Sequence, residues 1–260
     1  MEIQMSNSRM PWSDHRLTKE AMNHLWNCVN HPIQEIRGTL AGNISKSESI
    51  SDSDNWFFKN VLLRCIETLY YDDWNNYYHV HVIKDIPSPE FKLNDMWVNY
   101  QKQYEFNPIH NHSGLYCFVI FMKIPTHWEE QHALPISAAS NHPHASDFQF
   151  ILPSGGCMPY SIPLSPKDEG RMLFFPSWLR HQVYPFYECE EDRITISGNI
   201  SNSTHSELGQ VEYEIKMTNE RMDYLKKRKA EMIEGASISR NNEVVGEVTL
   251  PQKNPMKEKL

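Results

Sequence analysis

The stretch Gly170-Arg171-Met172-Leu173-Phe174-Phe175-Pro176-Ser177-Trp178-Leu179-Arg180-His181-Gln182-Val183-Tyr184-Pro185-Phe186 decides how this chain is read. A turn glycine leads into an apolar strand, Phe-Pro-Ser makes a turn, and His181 opens a further strand. Twelve residues after His181 comes Arg193-Ile194-Thr195-Ile196-Ser197-Gly198-Asn199, in which Arg193, Thr195 and Ser197 share one strand face. An arginine beside small hydroxyls in an otherwise apolar strand is costly to bury without an anionic partner. Its planar fork suits a carboxylate.

Upstream stands Glu105-Phe106-Asn107-Pro108-Ile109-His110-Asn111-His112-Ser113-Gly114, just before the apolar run Leu115 to Ile124. Residues i and i+2 of a strand face the same way, so His110 and His112 can grip one metal ion from one side. Pro108 and Gly114 bracket the pair at a strand mouth, where ligands are well held. Two other His-x-His pairs read differently. His79 and His81 lie in an aromatic-rich strand with no turn beside it, and His142 and His144 are split by Pro143 in a polar loop. Both fit structural or surface roles.

Short runs rich in β-branched and aromatic residues fill the region from about 76 to 200. They are 78–83, 96–101, 115–124, 148–152, 172–175 and 193–200. Many short strands at this spacing suggest a sandwich or barrel. The first 75 residues read as helical support. One helix runs through Leu17, Met22, Leu25, Trp26 and Val29 and is capped by Thr18. A second runs from Trp56 to Leu69, with Asp54 and Asn55 as capping candidates. The polar stretch Gly38 to Asn55 between them has loop composition. Residues 213–260 hold a charged helix, Thr218 to Glu234, closed by Gly235, and then a polar tail. The expected fold class is therefore α+β, mainly β, with domains at 1–75, 76–212 and 213–260.

With 260 residues, 40% hydrophobic, the chain can build a sizeable core. A net charge of −8 argues against nucleic acid as a partner, since phosphate needs a basic face. The run Lys226-Lys227-Arg228-Lys229 reads as a solvated helix face. Five cysteines with no CxxC pair fit a reducing cytoplasm rather than a disulfide framework. No leader pattern and no membrane-length apolar run is seen, which points to a soluble, intracellular protein.

The ordered set of His-x-His, FPSWLRHQVYPF and RITISGN resembles the iron- and 2-oxoglutarate-dependent oxygenases. Within them it is most similar to the 2OG-Fe(II) oxygenase family of bacteria and tailed phages, over roughly residues 95 to 200. Leu40-Ala41-Gly42-Asn43-Ile44 also resembles the N-terminal part of phage members. The resemblance implies a double-stranded β-helix, a jelly-roll barrel flanked by N-terminal helices and a C-terminal helix. It implies Fe(II) held by His110, His112 and His181, with no catalytic side chain beyond these ligands. It implies 2-oxoglutarate as cosubstrate, clamped by Arg193 with Thr195 helping, and O2 as oxidant. For a phage-encoded protein the compartment would be the host cytoplasm. One departure stands out: most of the wider superfamily places Asp or Glu where His112 stands. Asp147 and Asp168 are possible acidic ligands to which no spacing points.

Asn99 and Gln101 alternate with Trp97 on one strand. They are open to two readings, cavity groups bonding 2-oxoglutarate or substrate, or solvent-facing polar residues. Tyr104 is a further candidate for touching the cosubstrate, while Trp178 reads as core. The substrate, a small molecule or a protein side chain, is not identified, nor is the oligomeric state. The long loop from Thr126 to Ser146 is a candidate cover for the site. Two alternatives remain. One is a jelly-roll binding or structural protein without chemistry. The other is a cupin-like three-His metalloenzyme that would not need Arg193. The spelling His110-Asn111-His112 is not evidence for an HNH nuclease.

Overall fold

A computed structural model describes residues 10–70, 91–152, 158–202, 219, 222–223 and 225–230. The strand expected at 78–83, with His79 and His81, lies outside the described residues, as do Gly235 and the tail. The chain divides into two units, residues 1–205 and 206–260.

The described residues of the first unit form two antiparallel sheets. Eight strands make its centre: β4 (Phe91–Gln101), β5 (Asn107–His110), β6 (Tyr116–Lys123), β7 (Phe148–Leu152), β8 (Met158–Ile162), β9 (Arg171–Pro176), β10 (His181–Val183) and β11 (Arg193–Asn202). One sheet carries the order β9-β6-β11-β4 and the other β5-β10-β7-β8. Every connection except the β7–β8 hairpin crosses from one sheet to the other, which is the jelly-roll arrangement of a double-stranded β-helix. Three more strands extend the larger sheet. β1 (Ser13–Arg16) pairs with β9, β3 (Lys46–Ile50) with β4, and β2 (Gln34–Glu35) with β3.

Strand alternation explains why the large sheet needs cover on both faces. On β6, Tyr116, Phe118, Ile120 and Met122 point outward, while Cys117, Val119 and Phe121 point into the sandwich. β9 repeats this with Met172 and Phe174 outward and Leu173 and Phe175 inward. The outward set is covered by α1 (Lys19–Val29) and by a second helix, π-helical over Phe58–Leu62 and continuing as α2 (Leu63–Tyr70). Phe57, Leu62 and Leu25 there are fully buried, each contributing roughly 1.5–3 kcal/mol.

Thr18 caps α1, its hydroxyl accepting from the Ala21 N–H. The second helix is capped by Asp52, not by Asp54 or Asn55. The Asp52 carboxylate accepts from the N–H groups of Phe57 and Phe58 at 2.9 and 2.8 Å. The displacement has a backbone cause: Asp54 and Asn55 lie in left-handed conformation, within a 3-10 turn that precedes the helix. The N-terminal region is more than helical support, since β1, β2 and β3 all belong to the large sheet. The polar composition of Lys46–Ile50 suggested a loop because only one face of this near-edge strand meets apolar core.

In the second unit, residues 219, 222–223 and 225–230 are helical and exposed, as the charged pattern requires. Lys226 pairs with Asp223 at 3.0 Å. No helix among the described residues is long and apolar enough to cross a membrane.

Candidate metal centre

His110 is the last residue of β5 and lies opposite His181, the first residue of β10, in the sheet register. His112 follows two residues later, past the strand end. Its N–H donates to the Ser177 carbonyl at 3.0 Å, and the Ser177 N–H and hydroxyl donate to the Leu115 and Gly114 carbonyls. The Phe-Pro-Ser turn therefore clips the segment carrying His112 to the strand leading to His181. Gly114 makes the corner with φ +91°, and a Cβ there would stand 2.7 Å from the Ile200 carbonyl oxygen.

One ring nitrogen from each of the three histidines falls within 4.8 Å of the others. The Nε2 atoms of His112 and His181 are 3.2 Å apart. Two nitrogens about 2.1 Å from one ion, at a right angle, would stand roughly 3 Å apart, so this spacing fits adjacent positions on a metal. The outer nitrogens of two rings are already engaged. His110 Nδ1 donates to the Pro108 carbonyl at 2.7 Å and His181 Nδ1 to that of Leu179 at 3.1 Å, which leaves both Nε2 lone pairs inward. His112 stacks on Trp97 with ring centres 5.7 Å apart. His181 sits among Phe148 and Phe175.

Burial keeps the cluster neutral, as metal ligands must be. It holds His181 well below the usual imidazole range, with the neighbouring His110 and His112 adding to the effect. His112 is lowered to about 4 by burial and by His110, with contact from Asn199 opposing. His110 is lowered by burial, against its bond to Pro108. Asn199 is itself held by Asp95, its Nδ2 donating to the carboxylate at 2.8 Å.

Arg193 lies in the same cavity, of about 600 Å³, as the three histidines. It is 1% exposed. Its Nη2 donates to the Ser146 carbonyl at 3.0 Å and to the Ser146 hydroxyl, and its guanidinium stacks on Phe186. Nε and Nη1 are buried with no partner. Burial lowers Arg193 to about 10, opposed by the carboxylate of Asp147. A desolvated cation with two free donors in a cavity fits a carboxylate ligand.

Asn99 and Gln101 are buried, not solvent-facing, and both line this cavity with Trp97, Thr195 and Ser197. Register places Gln101 beside Arg193 and Asn99 beside Thr195. The Asn99 side-chain oxygen accepts from the Ser47 hydroxyl, and the Gln101 side-chain amide donates to the Glu105 backbone carbonyl. Tyr104 is not brought into the cavity. It is 63% exposed at a left-handed turn position, its ring against Tyr187. Trp178 packs against the inter-sheet core.

Neither acidic candidate joins the histidines. Asp168 caps a 3-10 turn and pairs with Arg171. Asp147 is held by His132 at 2.9 Å, with His144 3.5 Å from its other oxygen. The Thr126–Ser146 segment does not line the cavity. It forms α3 (Trp128–Ala133) and α4 (Pro135–Ala138), then delivers Ser146 to Arg193. Residues of the 34–44 segment line the cavity instead, among them Thr39 to Gly42 and Ile44 from the stretch that begins at Gly38 and has loop composition.

Residues 95–199 match the model of the family described as "Putative 2OG-Fe(II) oxygenase". No curated protein matches the chain in sequence. Among solved structures, it is similar to a Pseudomonas putida prolyl-4-hydroxylase at 12% identity and TM-score 0.43, over 74% of this chain and 92% of that one. A 2OG-Fe(II) oxygenase family oxidoreductase from Burkholderia pseudomallei is similar at 9% and 0.47, over 74% and 84%. HygX from Streptomyces hygroscopicus, solved with nickel, 2-oxoglutarate and hygromycin B, is similar at 9% and 0.44, over 76% and 86%.

Proposed function

We propose, from the premise that residues 95–199 form a domain of the 2OG-Fe(II) oxygenase family, that this chain uses iron(II), 2-oxoglutarate and dioxygen to oxidise a C–H bond of a small molecule or a protein side chain. The observation that carries the reading is the pairing, in one cavity, of three converging imidazoles with a buried guanidinium that keeps two donors free. His110, His112 and His181 would hold the iron. Arg193 would take the distal carboxylate of 2-oxoglutarate, with Thr195, Asn99 and Gln101 beside it. When bound, the ion and cosubstrate supply dioxygen activation coupled to decarboxylation.

The protein's own part is binding, orientation and exclusion of water. The backbone carbonyls of Pro108 and Leu179 set the tautomers of two ligands. Trp97, Phe148 and Phe175 wall the ligand side with apolar surface. A three-His enzyme without 2-oxoglutarate would have no use for Arg193. A scaffold without chemistry would leave two of its buried donors unpaired. A cytoplasmic setting is supported by four free cysteines among the described residues, Cys28, Cys65, Cys117 and Cys189.

The test is anaerobic titration with iron(II) and then 2-oxoglutarate, following the visible charge-transfer band of the chelate. The wild type should develop the band at one equivalent of each, and His181→Ala should not. Absence of the band, with iron content equal in the two proteins, would sink the reading.

A further inference from the structure

We propose that the segment from Gln34 to Ser49 is the substrate-binding face of the site, and that it takes an uncharged, hydrogen-bonding ligand. This inference rests on the oxygenase reading above. Its basis is a row of residues across the inner face of the large sheet. Register aligns Ser197 with Trp97, Trp97 with Ser49, and Ser49 with Gln34, on the neighbouring strands β11, β4, β3 and β2. Trp97 stacks on His112, so Ser49 stands one strand and Gln34 two strands beyond a metal ligand, at about 4.8 Å per strand. The inner face of the sheet thus runs on past the metal as a shelf of hydroxyl and carboxamide groups.

The chain closes this shelf on the far side. Residues 36–45 cross from the large sheet to β5. The Asn43 N–H donates to the Phe106 carbonyl at 2.9 Å, and the Ser45 N–H donates to the Glu105 carboxylate at 2.9 Å. Gly42 lies so close to Asn107 that a Cβ would fall 2.0 Å from its side-chain oxygen. Strap and shelf make one wall of the cavity that holds the three histidines.

The charge of that wall selects the ligand. Among the described residues, Arg193 and Asp95 are the charged ones that line the cavity. Arg193 is committed to the cosubstrate, and the Asp95 carboxylate accepts from Asn199. The charges nearby do not line the cavity: Arg37 pairs with Glu35 at 3.5 Å and Lys46 with Glu48 at 3.2 Å, outside its wall. With Arg193 engaged, a phosphate or carboxylate on the substrate would find no other cation among the described residues that line the cavity. The Ser47 and Ser49 hydroxyls donate to Asn99 and to the Gln34 carbonyl and keep lone pairs to accept, while the Gln34 amide both donates and accepts, which suits hydroxyl, carboxamide or neutral base groups.

The experiment uses the full chain loaded anaerobically with iron(II) and 2-oxoglutarate. The chelate band is read first; its failure refutes the oxygenase reading and not the shelf alone. Matched probes are then added at millimolar concentration: ribose and ribose 5-phosphate, adenosine and adenosine monophosphate, N-acetylglutaminamide and its glutamate counterpart. A probe beside the iron shifts the band. At least one uncharged member should bind about tenfold or more tightly than its charged partner. Ser49→Lys, with the band itself intact, should abolish that preference or turn it toward the anion. Equal or tighter binding of the charged members, no shift with any probe, or an unchanged preference in Ser49→Lys would each overturn the proposal.

Discussion

Replacing Arg193 with alanine separates cosubstrate binding from metal binding. The guanidinium is almost wholly buried, and its Nε and Nη1 have no protein partner. A carboxylate meeting both would gain two charge-assisted hydrogen bonds. Bonds to charged groups are worth ~1.5–3 kcal/mol each, and losing one partner of a buried charged pair costs about 2–5 kcal/mol. Taking roughly 3–4 kcal/mol, with about 1.4 kcal/mol per tenfold, the 2-oxoglutarate Kd of Arg193→Ala should rise on the order of 10²- to 10³-fold. Iron should be little affected, because the three imidazoles and their carbonyl anchors do not touch Arg193. The assay is anaerobic titration of iron-loaded protein with 2-oxoglutarate, with iron affinity measured separately by competition with a chromophoric chelator. Parallel losses in both affinities would show that Arg193 supports the fold and not the cosubstrate. An unchanged 2-oxoglutarate Kd would refute the clamp outright.

Acidification should destabilise the metal-free protein. The folded state holds His110, His112 and His181 below their ordinary value, His112 at about 4, so the unfolded chain binds protons first. Their contribution is fully present above pH ~6.5 and is lost as pH falls toward 4. The urea midpoint should drop across that window, and less so in His112→Ala; a flat profile would contradict it. Gly114→Ala should cost about 1–3 kcal/mol, since it forces a side chain to φ +91° against the Ile200 carbonyl, and should weaken iron binding through His112. Thermal melts and iron content check both effects. Asp52→Ala removes the acceptor of two helix N–H groups and of His24, and should lower stability by ~1–3 kcal/mol while leaving the chelate band unchanged.

The strongly periodic parts of this protein could be read directly. Tyr116–Lys123 and Arg193–Asn202 are buried on two faces or alternate cleanly, and that pattern is local. His110, His112, His181 and Arg193 stood out because imidazoles two apart on a strand and an arginine in an apolar strand are unusual at those positions. Ser146 carried no such signal. It meets Arg193 from 47 residues away, at φ +75°, a relation that exists only after the two sheets close. Asp52 escaped notice because the capping position moved with the left-handed turn at Asp54 and Asn55.

The substrate side divides in the same way. Sequence alone marked the strand faces, the three histidines and Arg193, because each depends on period-two alternation or on the electrostatics of one side chain. Tertiary structure alone decided that Lys46–Ile50 joins the large sheet, that residues 34–44 wall the cavity, and that the Thr126–Ser146 segment ends on Arg193 instead of lining the cavity. A polar strand facing a cavity and a polar loop facing water have the same composition. Only the position of their neighbours in space tells them apart.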